Sequence, residues 1–112
     1  MRPLHRADHG ALAEALRRRV LEGSGETDAN LRRKVAERAA GGPPVDAAYD
    51  DLALQIATAA NRVTDPQVAA AVRAAGSEKA AFEIIAAAAV GAGLLRWQLG
   101  ISVVEEAANA PQ

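Results

Sequence analysis

The stretch VTDPQVAAAVRAAGSEKAAFEIIAAAAVGAGLLR, Val63 to Arg96, holds two capped helices that meet at one glycine. Thr64 has the side-chain acceptor an N-cap needs, and Asp65 and Pro66 follow where a carboxylate and a missing N–H are both accepted. Val68, Val72 and Ala75 then share one face. Gly76 suits a helix C-terminus, Ser77 can cap the next helix and Glu78 sits in its first turn, so the spacing predicts a tight reversal with the two helices side by side. The second of them is apolar on almost every face. Such a helix must be surrounded by protein or lipid, and the run Ile84 to Leu95 is well short of the roughly 20 residues a bilayer span needs. Protein is the expected surrounding, and this helix is expected to reach Glu106, with Ala107 to Gln112 frayed.

Toward the N-terminus, Asp46 can cap a helix in which Leu52, Ile56, Ala59 or Ala60, and Val63 recur every three or four residues. Before it, Gly41, Gly42, Pro43 and Pro44 form the clearest linker. An earlier helix starts after Thr27, read as its N-cap, and turns Leu31, Val35 and Ala39 inward. The first helix spans about Asp8 to Glu22, with Leu12, Leu16 and Val20 as its apolar stripe and Gly23 and Gly25 at its end. The expectation is one all-α domain of five helices over residues 1–112, made of an N-terminal pair (1–42) and a core (45–107), without strands or internal repeats. Gly91, Gly93 and Gly100 each disfavour a helix by about 1 kcal/mol relative to Ala, so their presence in the last helix implies close backbone approach or a kink.

Composition points the same way. Half the residues are apolar, yet there is one Phe, one Trp and one Tyr, so the core must be built from Ala, Val, Leu and Ile. Cysteine is absent, which excludes disulfides, thiolate metal sites and cysteine nucleophiles. The first 20 residues lack the apolar core of a secretory signal, so a cytoplasmic location is expected. Residues 1–41 hold 9 Lys/Arg against 6 Asp/Glu, and residues 42–112 hold 4 against 8. The basic runs Arg17, Arg18, Arg19 and Arg32, Arg33, Lys34 spread around their helices, with Glu14, Glu22 and Glu37 close by. Nucleic-acid binding is therefore not expected.

The pattern VTDxxVxxxxxAG followed by SExxxFEIxxAAAxGAGLxR resembles the C-terminal half of the alkylhydroperoxidase D-like (AhpD-like), or carboxymuconolactone decarboxylase, family, over about Val45 to Leu99. The resemblance implies an all-helical, oligomeric protein. In the family's peroxidase branch it also implies a CxxC pair followed by His on the helix before the glycine turn, positions that fall here on Asn61, Thr64 and Val68, with the assisting Glu near Tyr49 and beside Asp50 and Asp51. None of these residues can form the thiolate or disulfide, or move the proton, that peroxide reduction requires. The decarboxylase branch needs no cysteine, but it needs a polar pocket. Arg62, Arg73, Glu83 and Arg96, with Asp50, Asp51 and Lys79 nearby, contain no evident acid and base pair.

Among individual residues, Glu83 stands out between Phe82 and Ile84 on an apolar helix. Its first reading is a structural ion pair with Arg62 or Arg73, and the competing one is a catalytic acid or base. Arg62, Arg73, Arg96 and Trp97 are the weak candidates for binding a ligand, and Trp97 is also read as an interface or core anchor. His5 and His9 have helical metal-ligand spacing but no third ligand, so no metal and no cofactor is expected. The leading expectation is a non-redox homo-oligomer, a dimer, trimer or hexamer, serving as a small binding or scaffold protein, with no membrane partner and room for a small-molecule ligand. The alternative is a cofactor-free lyase or isomerase of the decarboxylase type with a polar pocket between subunits.

Overall fold

The computed structural model describes residues 6–110, and these form five α-helices with no strand among them. They are α1 (Arg6–Glu22), α2 (Ala29–Ala39), α3 (Ala47–Ala59), α4 (Asp65–Ala75) and α5 (Glu78–Asn109), with a single 3₁₀ turn at Ala60–Arg62 after α3. The metal-ligand reading of His5 falls outside the described residues.

Local chemistry sets most of the ends. At α4 the Thr64 hydroxyl accepts from the Gln67 N–H (3.3 Å) while the Gln67 side chain accepts from the Thr64 N–H (2.9 Å), a reciprocal capping box. Gly76 ends α4 in the left-handed region, φ +97°, which a side chain there would disfavour. Ser77 caps α5 by accepting from the Ala80 N–H at 3.0 Å. The reversal read from the sequence is thus formed as expected. Two ends differ from the expectation. Asp28, not Thr27, is the N-cap of α2, because the Thr27 hydroxyl is committed to Glu83 on α5. Helix α5 also continues to Asn109 rather than fraying from Ala107, since Glu105, Glu106, Ala107 and Ala108 are good helix formers.

The core is small-chained. Leu52, Ile84 and Val35 are its largest fully buried side chains, and alanines of α2, α3, α4 and α5 fill the rest. Helices α2 and α5 share the most extensive contact in the bundle, and glycine permits it. A Cβ placed on Gly91 would collide with the Ala36 carbonyl, so backbones meet there directly. Gly93 and Gly100 are different, because a Cβ on either would meet nothing within 4 Å. The chain's own packing gives no reason for their helix penalty of about 1 kcal/mol each.

Helix α5 projects beyond the bundle from about Leu99. Its 32 residues extend about 48 Å at 1.5 Å per residue, the longest dimension of the molecule is 54 Å, and the radius of gyration is 16.1 Å. About 13 Å is usual for a compact chain of this length. From Gly93 to Ala110 every residue except Leu94, Ile101 and Glu105 is exposed. The apolar stripe expected on α1 is mostly outside as well, with Leu12 59 % and Leu16 50 % exposed, because α1 turns Gly10, Ala13 and Arg17 toward Leu94 and Trp97 instead. By length and composition α5 could cross a membrane, and only 28 % of its apolar window is buried. The apolar run therefore continues beyond the Ile84 to Leu95 segment singled out from the sequence.

Candidate functional site

Glu83 is the most constrained carboxylate of the chain. The peptide N–H groups of Glu26 and Thr27 each donate to it at 2.9 Å, the Thr27 hydroxyl donates at 2.5 Å, and Lys79 Nζ, one helical turn earlier, donates at 2.9 Å. Gly25 makes this approach possible, since a Cβ there would lie 2.6 Å from the carboxylate. The loop between α1 and α2 is thereby latched to the first turns of α5. Glu26 strengthens the latch by accepting from the Ser77 hydroxyl at 2.7 Å.

The hydroxyl of Thr27, the Glu26 N–H and the Lys79 ammonium all favour the ionised form, in that order, and hold Glu83 well below the usual carboxylate range. Four donors occupy its lone pairs, so it has neither a free oxygen nor a proton affinity suited to acid–base work near neutrality. The latch is an ion pair, as the sequence allowed, but its cation is Lys79 rather than Arg62 or Arg73. Both of those arginines are exposed.

A second clamp holds the glycine-proline linker. Arg38 makes a two-pronged contact with Asp50 at 2.8 and 3.3 Å and donates to the Gly42 carbonyl, while Asp50 also accepts from the Val45 N–H. The Val45 N–H, then Arg38, lower the Asp50 carboxyl below its ordinary value. Asp51 is exposed beside it, and Tyr49 is buried, its phenol raised by burial and by the Asp46 charge. Asp50 and Asp51 are thus not gathered into one site. Asn61 and Thr64 are exposed, and Thr64 is occupied as a cap.

Sequence reasoning missed Arg32. It belongs to a basic run read only as spread around its helix, yet it is 4 % exposed and donates to the Val20 and Gly23 carbonyls at 2.7 and 2.5 Å. It closes the C-terminal end of α1, where free carbonyls favour a cation. Its sequence neighbours Leu31 and Arg33 are both half-buried, so the run gave no signal that Arg32 alone would be fully inward.

The remaining concavities are shallow. One recess of about 670 Å³ is lined by Asp28, Asn30, Leu31, Lys34, Glu37, the two prolines, Val45 and Asp46, and it includes neither Glu83 nor any of Arg62, Arg73 and Arg96. A groove of about 290 Å³ between α1, α2 and α5 has an apolar floor of Leu21, Ala36, Ala40, Gly91, Leu94 and Leu95, with Arg17 and Arg33 among its lining residues. Arg17 is already paired with Glu14. Arg96 donates to the Ala57 carbonyl and so ties α5 to α3. Among the described residues no three His, Asp or Glu side chains converge on a point that could hold a metal.

What the molecule does present is a surface. Phe82 is 68 % exposed, Trp97 40 %, Leu99 58 %, Val103 64 % and Val104 57 %, all on α5. At 100° per residue Phe82, Ala86, Ala89, Gly93, Trp97, Gly100 and Val104 fall within a strip roughly 80° wide, opposite the buried Ile84, Ala87 and Ala88. Both faces of α5 are apolar, and the chain covers one. No family model, no curated protein and no solved structure matches this chain.

Proposed function

We propose that this protein is a non-redox helical binding or scaffold protein that works as a homo-oligomer, with an alkylhydroperoxidase D-like arrangement of its last helices. The observation that carries the proposal is the uncovered apolar strip of α5. Exposed apolar surface of this extent marks an interaction site, and its removal from water is worth about 25 cal/mol per Å². The two acidic clamps support the same reading, because they commit Glu83 and Asp50 to holding loops. A lyase or isomerase that used Glu83 would need this carboxylate free to exchange a proton, and none of its oxygens is available.

A protein partner is favoured over a bilayer by where the polar groups lie. The second half of α5, Gly93 onward, carries Arg96, Gln98, Ser102, Glu105 and Glu106. It is too polar and too short to span alone, and the earlier half is packed against α2, α3 and α4. Light scattering after size exclusion tests the proposal. The expected mass at micromolar concentration is a multiple of the 11.6 kDa chain, and a monodisperse monomer would overturn it.

A further inference from the structure

Resting on that reading of the α5 strip as an association surface, we infer that its occupant is the same strip of a second copy, laid antiparallel and centred on Gly93. The strip residues Phe82, Ala86, Ala89, Gly93, Trp97, Gly100 and Val104 are separated by steps of 4, 3, 4, 4, 3 and 4, a palindrome about Gly93. A two-fold axis at Gly93 therefore places Phe82 opposite the partner's Val104, Ala86 opposite the partner's Gly100, and Ala89 opposite the partner's Trp97. Large meets large at the ends, the single indole meets an alanine, and the two Gly93 backbones meet at the axis. An isologous contact of this kind is self-complementary by construction.

Three structural facts single out this register. Gly93 and Gly100 have open space where a side chain would be, so within one chain nothing uses them, whereas Gly91 is required by Ala36. Small residues at the centre allow two helices to approach closely without loss of packing. Gly93 also lies at the middle of α5, so in the antiparallel arrangement Glu78 to Ala92 of one copy faces Gly93 to Asn109 of the other, spans of about 22 and 25 Å at 1.5 Å per residue. A parallel pairing would instead set the two bundles side by side.

With aromatic side chains of about 150–250 Å² at the observed exposures, and Val104 and the small residues between them, the strip offers on the order of 500 Å² per copy. Two copies would bury about 1,000 Å² in total, the lower end for a specific interface. No charged residue lies within the strip, and Arg96 at its edge already has the Ala57 carbonyl.

Because the chain has no cysteine, single thiols report the register directly. Full-length Phe82→Cys and Val104→Cys are made separately, both at exposed positions, and treated with a short bismaleimide alone and mixed after exchange of subunits. The mixture is expected to cross-link to a dimer that contains one chain of each, while each variant alone gives less than about a tenth of that yield, since like positions are about 33 Å apart. Cross-linking of either variant with itself as efficiently as the mixture would establish parallel pairing and overturn the inference. An oligomer by light scattering with no cross-link in any mixture would overturn the register while leaving self-association intact, and a monomer would overturn both. Partition of the wild type into phosphatidylcholine and phosphatidylglycerol vesicles, with loss of the dimer, would assign the strip to lipid and also refute it. Gly93→Leu gives an independent readout, with at least a tenfold weaker dimer expected and helicity unchanged, because a Cβ at this position meets no atom of its own chain within 4 Å. Undiminished dimerisation of folded Gly93→Leu would count against the axis at Gly93.

Discussion

Glu83 shows how one side chain can tie two distant parts of the chain together without taking part in chemistry. Its carboxylate replaces the loop's missing hydrogen bonds and is replaced poorly by any neutral group. Glu83→Gln removes the charge that attracts Lys79 and leaves an amide N–H₂ facing peptide donors, so a loss on the order of 1–3 kcal/mol is expected, read as a lower urea midpoint. The pH dependence has a definite sign. The folded carboxyl lies below its ordinary value of 4.5, so the latch contributes fully above about pH 5 and its contribution fades as the pH falls from there toward the folded value. Asp50 acts in the same direction. Wild-type stability should therefore fall between pH 6 and pH 3, and Glu83→Gln should be weaker at pH 6 but flatter across that interval. An equal slope in both proteins would show that the charge of Glu83 is not what the acid limb reports.

At the scale of the helix, the three glycines of α5 have unlike causes. Gly91 lets α2 and α5 share backbone contact, so Gly91→Ala must push the helices apart or distort one of them, a loss of about 1–3 kcal/mol. Gly10 on α1 is also helical but opens on empty space, and Gly10→Ala should raise stability by up to about 1 kcal/mol. Thermal melts of the two variants should move in opposite directions. A Gly91→Ala protein as stable as the wild type would mean that α2 and α5 do not approach as closely as Ala36 and Gly91 indicate.

For the molecule as a whole, the absence of cysteine decides the redox question independently of the fold. Met1 holds the only sulfur, so consumption of an alkyl hydroperoxide in the presence of a dithiol donor should equal the protein-free rate. Turnover above that rate by metal-free protein would require a non-thiol route and remove the ground for a purely structural role. Assembly is the other property at this scale, and it follows from a shape in which one helix is longer than the bundle around it. A short chain rich in alanine buries little area per residue, so covering the arm of α5 by a second copy would add to a core that is small on its own.

The sequence by itself determined the helical class, the reversal at Gly76, the caps at Thr64 and Ser77, and the exclusion of thiol chemistry. These depend on neighbours within a few residues, where backbone conformation and residue type are tightly coupled. It also marked Glu83 as a residue needing partners, because a carboxylate in an apolar run has no local solvation. Which partners it finds was not legible, since Glu26 and Thr27 are more than fifty residues away and the choice between Lys79 and the arginines depends on how the loop meets α5. The same reason explains Arg32, whose inward position is set by the end of α1, and Leu12 and Leu16, whose stripe has the right period but faces no neighbour. Periodicity says which residues share a face, and only the packing of the helices decides whether that face is covered.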